Sequence, residues 1–201
     1  MIANRTVDFF DVQFKKQVEA REFTLNPFEE AALPHLSGRV LDLGCGLGNL
    51  SIAAARRGCD VLAVDASPAA VDHLARVARD ERLRLAAVQA DIGRFEIPRS
   101  FDAIVAIGLL MFFPCTDARR LLVAIRGAVR PGGCAVTNVL IDGTTYTKMF
   151  DGDRYCLLAP DELDEAFRDW AIALSRRDEF PAPGGTVKRF STVIARRPAT
   201  R

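Results

Sequence analysis

The sequence predicts an α/β protein with a doubly wound, mostly parallel sheet of seven strands that ends in an antiparallel hairpin. From residue 39 onward, short and continuously apolar runs alternate with amphipathic stretches, as is typical of parallel strands covered on both faces. Near the end, two more strand-like runs are joined by "PAPGG", a hairpin-type turn. We expect residues 1–36 to form a helical lid and residues 37–201 to form the main unit of a single-domain protein.

The composition and net charge limit the classes of protein to which this chain can belong. The 201 residues are 49% apolar and 26% charged, as in ordinary globular domains, and the net charge is only +1. A charge this small provides no global field for nucleic acid or an anionic membrane. There is no apolar run long enough to span a membrane and no apolar segment typical of a secretory signal. We therefore expect a cytoplasmic protein with a small-molecule partner, as a monomer or homodimer.

The individual elements follow from capping signals and apolar periodicity. In the lid, "DFFDVQFKKQVEA" predicts one helix, and "NPFEEAALPHL" predicts a second that Asn26 caps. Ser67 followed by Pro68 marks another helix start. The predicted strands are 39–43, 60–64, 84–89, 101–107, 134–141, 171–180 and 186–197. The predicted helices of the main unit are 49–57, 67–79, 117–129 and 160–170.

A glycine-rich turn follows the first strand in "VLDLGCGLGNLS". Gly44, Gly46 and Gly48 provide bare backbone for a tight turn and for close approach of a ligand, and the next helix offers its first amides. In such sheets ligands bind beyond the carboxyl ends of the strands, where the strand order reverses. A dinucleotide fingerprint would space the third glycine one residue further on, so this turn fits a dinucleotide poorly.

Two acidic residues end the next two strands. Asp65 follows "VLAV" and suits the two hydroxyls of a ribose, although it can equally cap the helix after it. Asp91 ends the third strand in "VQADI", where a turn role is the alternative. Because the ends of parallel strands meet at one edge of a sheet, both carboxylates and the glycine turn are expected around one crevice.

The motif D-x-G-x-G-x-G resembles motif I of class I methyltransferases, which have a Rossmann-like sheet and use S-adenosylmethionine (AdoMet). "FDAIVAIGLLMFF" is similar to their fourth-strand motif, and "AVRPGGCAVTNVL" is similar to their R/K-P-G-G turn. The resemblance implies that residues 37–201 form an AdoMet-binding domain. It also implies these cofactor-binding residues: Asp42, Gly44, Cys45, Gly46, Gly48, Asn49, Asp65, Ala66, Ser67, Asp91, Ile92, Ile107 and Gly108.

Within that superfamily, "LLMFF", "RPGG" and "KRFSTVIARR" look most like the bacterial tellurite-resistance methyltransferases. Arg189 in "KRF" matches a pocket position of that family, with an exposed strand position as the alternative. Met111 and Phe112, which follow the fourth strand, are the other acceptor-site candidates, with core packing as the alternative. Those enzymes carry a His-Arg pair before the last strand, and "EFPAPGGTVK" has no histidine. Phe113, Tyr146 and Phe150 are further candidates for this pocket, with core packing as the alternative. Arg21 and Gln17 are candidates to meet the methionine carboxylate.

The sequence offers no convincing general base for the acceptor. We expect His35 to have a surface or cap role and His73 to face solvent. An acceptor that needs no deprotonation, such as a selenium or tellurium oxyanion, is therefore favoured. An O- or N-methyltransferase of a small metabolite, a non-catalytic AdoMet-binding module and an NAD-dependent oxidoreductase remain as alternatives.

The five cysteines are odd in number and none are spaced as C-x-x-C. This pattern argues against a zinc site or any other bound metal. It also argues against a disulfide framework, so we expect buried, reduced thiols, and Cys115 is not expected to act as a nucleophile.

Overall fold

The computed structural model describes residues 5–21, 23–98 and 100–199, and a seven-stranded sheet forms its centre. The strands are β1 (Arg39–Leu43), β2 (Asp60–Asp65), β3 (Leu85–Gln89), β4 (Phe101–Ile107), β5 (Val129–Leu140), β6 (Ala171–Ala182) and β7 (Thr186–Arg196). Their order is β3-β2-β1-β4-β5-β7-β6. The first five strands pair in parallel, whereas β7 runs antiparallel to both β5 and β6. This arrangement confirms the predicted fold class, and the order reverses at β1, beside the glycine turn.

Helices cover both faces of the sheet. They are α1 (Arg5–Ala20), α2 (Pro27–Ala32), α3 (Asn49–Arg56), α4 (Pro68–Asp80), α5 (Cys115–Ala128) and α6 (Glu162–Ala166). Along β1, Val40 packs into the core formed with α3 and α4, while Leu41 packs into the core formed with α5 and α6. Successive strand residues face opposite sides, so burial on both sides explains the uninterrupted apolar runs.

Local capping signals set the helix starts where we expected them. The Asn26 side chain accepts hydrogen bonds from the backbone amides of Phe28 and Glu29, and the Glu29 carboxylate accepts one from the Asn26 amide. This reciprocal capping box confirms the predicted start of α2. Ser67 caps α4 in the predicted way, by accepting a hydrogen bond from the Ala70 amide.

Two element boundaries and the burial of one strand differ most from the sequence prediction. The helix expected at 160–170 is helical only over Glu162–Ala166. β5 begins at Val129 because the Arg-Pro-Gly-Gly segment stays within the sheet through a shift in register against β4. β3 is an outer strand and is not covered on both faces, and Val88 is 39% exposed. In the part of the chain described, no helix is long and apolar enough to cross a membrane.

Candidate functional site

The glycine turn after β1 requires glycine at each of its three positions. Gly44, Gly46 and Gly48 have φ angles of 68°, 53° and 72°, a region that disfavours side chains. A Cβ atom at Gly48 would lie 2.6 Å from the methyl groups of buried Leu74, and one at Gly44 would lie 2.8 Å from Leu109. The turn therefore has bare backbone because both conformation and packing exclude a side chain.

Asp65, the last residue of β2, holds this turn in place. Its carboxylate accepts hydrogen bonds from the backbone amide of Gly46 at 2.9 Å and from that of Ser67 at 2.8 Å. Burial raises the pKa of Asp65 above its ordinary value, and the hydrogen bonds from Ser67 and Gly46 oppose the shift. Two carboxylate oxygens carry about four lone-pair sites, so acceptor capacity remains for a ligand.

A cavity of about 140 Å³ opens beside Asp65, at the carboxyl ends of the parallel strands. We call it the donor cavity. Its lining residues are Thr6, Val7, Phe10, Phe14, Gly44, Asp65, Ala66, Ser67, Asp91, Ile92, Gly108, Leu109, Phe112 and Phe113. Most of the lining outside α1 consists of predicted site residues. Strand ends that are far apart in sequence therefore meet around one space, as the topology predicts.

Other predicted cofactor residues lie beneath or beside the cavity lining. Asp42 is 6% exposed and accepts a 2.6 Å hydrogen bond from Ser51, and desolvation raises the pKa of this carboxyl to about 7. Cys45 is buried, which raises the pKa of its thiol well above its usual range. The Asn49 side-chain amide donates to the Thr24 carbonyl at 3.0 Å. Ile107 ends β4. These residues shape the turn, and their direct contact with a cofactor stays a prediction.

Sequence reasoning missed the cavity residues on α1. Thr6, Val7, Phe10 and Phe14 line the cavity, and the Phe14 ring lies over Gly46. Val7, Phe10 and Phe14 are spaced i, i+3 and i+7, a helical stripe that could have indicated a buried face. The candidates named instead, Arg21 and Gln17, are not among the described residues that line the cavity.

The residues present fit a nucleoside cofactor of the kind the resemblance implies. The left-handed glycine turn leaves backbone exposed, the Asp65 carboxylate lies against the cavity, and Asp91 lies at its rim with a side chain that is 67% exposed. Small-molecule sites are typically about 300–1,000 Å³. The donor cavity is smaller because α1 occupies one side of it.

An aromatic cluster extends from the cavity toward β5. Phe112 contacts Phe10 at 5.2 Å and Phe150 at 5.5 Å between ring centroids, and Phe150 stacks on Tyr155 at 4.4 Å. We call Phe10, Phe112, Phe150 and Tyr155 the aromatic cluster. Met111, another predicted acceptor residue, is buried below it. The structure thus brings Phe112 and Phe150 together next to the donor cavity.

Arg189, the third predicted acceptor residue, is not among the described residues that line the donor cavity. Its guanidinium pairs with Glu179 at 2.6 Å and lines a second cavity of about 270 Å³ with Asp142 and Arg177. The ammonium of the neighbouring Lys188 lies 4.8 Å from the centroid of the Tyr146 ring. Because successive residues of a strand face opposite ways, Arg189 and Lys188 lie on different sides of β7, and the role of Arg189 in the acceptor site stays a prediction.

Two expectations about reactive side chains are wrong. Cys115 and Cys156 form a disulfide, so only Cys45, Cys59 and Cys134 are free buried thiols. Neither cysteine spacing nor the odd count revealed this pair, because its partners are 41 residues apart.

His73 does not face solvent: it is 7% exposed and stacks on Phe23 at 4.9 Å. Burial, aided by Arg76, lowers the pKa of His73. No cluster of side chains able to hold a metal is found among residues 5–21, 23–98 and 100–199.

Comparison with known proteins places these features in context. Residues 40–133 match the family described as "Methyltransferase domain". The chain is 27% identical over 206 residues to Hemagglutinin 1 of Eikenella corrodens, covering 95% of this chain and 68% of that protein. It is 37% identical over 116 residues to a ubiquinone biosynthesis O-methyltransferase of Xanthomonas campestris, covering 54% of this chain but only 45% of the relative. The chain thus spans less than half the length of that relative.

Solved structures share the fold. TehB from Haemophilus influenzae superposes with a TM-score of 0.75 at 22% identity, covering 86% of this chain and 62% of TehB. The 1,6-didemethyltoxoflavin-N1-methyltransferase of Burkholderia thailandensis, solved with its acceptor and S-adenosylhomocysteine, superposes with a TM-score of 0.64 at 23% identity. That match covers 86% of this chain and 77% of the other.

Proposed function

We propose that this chain, whose residues 40–133 match a methyltransferase domain and whose fold is shared by TehB, is a class I AdoMet-dependent methyltransferase that transfers the methyl group of AdoMet to a small acceptor. The observation that carries this proposal is the donor cavity, where the glycine turn, Asp65 and Asp91 meet at three neighbouring strand ends. We propose both the catalytic activity of the whole protein and the identity of its acceptor.

The chain's own residues bind and orient the donor. Bound AdoMet supplies an electrophilic methyl group on a cationic sulfur. The Asp65 carboxylate is the group suited to ribose hydroxyls, since it has free acceptor capacity at the cavity wall. The bare backbone of the glycine turn allows close approach, and Phe10, Phe14 and Phe112 exclude water.

The acceptor we favour has a nucleophilic lone pair and needs no deprotonation. Among the described residues that line the donor cavity, the ionisable side chains are those of Asp65 and Asp91. The Asp65 carboxylate is already engaged with backbone amides. In the transfer the carbon–sulfur bond breaks as a bond forms between that carbon and the acceptor atom, and S-adenosylhomocysteine leaves with an uncharged sulfur. A selenium or tellurium oxyanion meets this requirement, and the resemblance of "LLMFF", "RPGG" and "KRFSTVIARR" to the tellurite-resistance methyltransferases favours it.

A planar metabolite with a hydroxyl or ring nitrogen is the second candidate. The aromatic cluster beside the cavity favours it, because aromatic side chains stack readily on flat ligands. A hydroxyl acceptor would have to arrive already deprotonated or lose its proton to water, whereas a ring nitrogen with a free lone pair needs no deprotonation. The name of the ubiquinone-pathway relative is consistent with this class.

Two measurements test the proposal. Titration calorimetry with AdoMet and with NAD identifies the cofactor, and we expect heat only with AdoMet. Release of S-adenosylhomocysteine is then followed with selenite, tellurite, thiols and phenols as acceptors. Turnover with selenite or tellurite supports the favoured acceptor class, and turnover with phenols alone supports the second. Binding without any turnover would leave a non-catalytic AdoMet-binding module and would contradict the proposed activity.

A further inference from the structure

Helix α1 is fixed across the donor cavity by Asp11. One oxygen of the Asp11 carboxylate accepts a 2.7 Å hydrogen bond from the Ser67 hydroxyl and a 3.1 Å hydrogen bond from the Ala69 amide. The other oxygen pairs with Lys15, one turn along the same helix, at 2.7 Å. Hydrogen bonds from Lys15 and Ser67 lower the pKa of Asp11, so it is anionic near neutral pH.

Asp11 occupies this position because the start of α4 attracts an anion. The first amides of a helix have no partner within it, and the helix dipole favours negative charge there. Pro68 has no amide hydrogen, Ala70 donates to the Ser67 side chain, and Ala69 donates to Asp11. Asp11 therefore completes the cap of α4 from a different helix.

The same serine connects α1 to the donor site. Ser67 is 1% exposed, and its backbone amide donates to Asp65, whose other oxygen accepts from Gly46. One buried residue thus holds two carboxylates, Asp65 in the donor site and Asp11 on α1. A movement of α1 that pulls Asp11 away removes a partner from the residue that orients Asp65.

The position of α1 also limits access to the cavity. Phe14 lies over Gly46, with a ring carbon 3.1 Å from where a Cβ atom at that glycine would stand, and Phe10 packs edge-on against Phe112. The remaining volume of about 140 Å³ is well below the roughly 300 Å³ at which small-molecule sites begin. The space left beside α1 is therefore smaller than a nucleoside donor usually requires.

We propose that Asp11 is a positioning residue for donor binding: it latches α1 over the donor cavity through Ser67 and Ala69, and release of this latch admits AdoMet. This inference rests on the proposed donor. In the latched state the inner face of α1 shields the site from water, and Ser67 keeps Asp65 oriented toward the cavity.

The test compares three variants in the full chain. Asp11→Ala removes the latch, Asp11→Asn keeps one acceptor oxygen but removes the charge, and Asp8→Asn changes an exposed aspartate of the same helix as the control. Amide hydrogen exchange of residues 5–20 is measured without ligand. Association and dissociation rates of S-adenosylhomocysteine are measured by stopped flow.

Loss of two charge-assisted hydrogen bonds should speed exchange of α1 by roughly 100-fold or more in Asp11→Ala, while exchange of β1 and β4 stays unchanged. Both ligand rates should rise in the same variant. Asp11→Asn should fall between Asp11→Ala and the wild type, and Asp8→Asn should match the wild type.

Unchanged exchange in Asp11→Ala overturns the latch. If exchange becomes faster but ligand association is unchanged, Asp11 only stabilises α1. That result overturns the claim that release of the latch admits the donor. If the wild type binds no S-adenosylhomocysteine, the proposed donor fails, and the claim that the latch admits AdoMet falls with it. The exchange measurement, made without ligand, still reports separately whether Asp11 holds α1.

Discussion

Substitution of Asp65 by asparagine is the most informative change in the donor site. The variant keeps the size of the side chain and one acceptor oxygen, but it replaces the other oxygen with a donor and removes the negative charge. Asp65 now accepts from the amides of Gly46 and Ser67, and its remaining lone pairs are those available to a ribose. The asparagine side chain of the variant cannot satisfy both backbone amides and the ribose together.

The expected loss of AdoMet affinity follows from the number of hydrogen bonds that the substitution removes. A hydrogen bond to a charged group contributes about 1.5–3 kcal/mol, and each 1.4 kcal/mol is a factor of about ten in affinity. Loss of one such bond should therefore weaken AdoMet binding by roughly 10- to 100-fold. A second bond lost with the rearranged turn would increase the effect.

Titration calorimetry with S-adenosylhomocysteine measures this change. Asp60→Asn is the matched control, because Asp60 is an exposed aspartate at the opposite end of the same strand. We expect the control to bind like the wild type and the thermal unfolding of all three proteins to remain cooperative. If Asp65→Asn binds within about twofold of the wild type, Asp65 serves only the turn, and the assignment of a ribose to this carboxylate is refuted.

Three further predictions concern stability. The raised pKa of buried Asp42 means that its contribution to stability is full below its ordinary pKa of 3.8 and is lost as pH rises through about 7. Urea unfolding from pH 4 to 8 should therefore show the wild type losing up to about 4 kcal/mol relative to Asp42→Asn, and a constant difference would contradict the burial argument. Reduction of the disulfide between Cys115 and Cys156 should lower the free energy of unfolding by about 4 kcal/mol, given its 41-residue separation. A double serine variant of these cysteines should not respond to reductant, and a response would mean that another group is being reduced. Gly48→Ala should destabilise more than Gly58→Ala by about 1–3 kcal/mol in the same assay, since both have positive φ but only Gly48 meets a buried side chain. Equal losses would show that backbone strain alone accounts for both.

The parallel sheet was predictable because its signals are local. Continuous apolar runs follow from burial on both faces, and the starts of α2 and α4 are set by Asn26 and Ser67 through side chains within three residues. The glycine turn is equally local, since three closely spaced glycines after a strand permit a tight turn. The parallel topology alone then predicts that Asp65 and Asp91 lie at the same edge of the sheet.

Several features that sequence reasoning did not give depend on contacts between distant segments. The disulfide joins the start of α5 to a segment beyond β5, and spacing along the chain carries no signal for that contact. His73 is buried, and it stacks on Phe23, which comes from a distant segment. The direction of Arg189 depends on the register of β7 against its neighbours. A short motif does not specify any of these.

The most direct test of the central claim is a crystal structure of the chain with S-adenosylhomocysteine. We expect the ribose hydroxyls to lie on the carboxylate of Asp65, the adenine to lie near Asp91, and the backbone at Gly44 and Gly46 to contact the ligand. A ligand bound away from these strand ends, or one that leaves Asp65 hydrogen-bonded only to its own backbone amides, would contradict the claim.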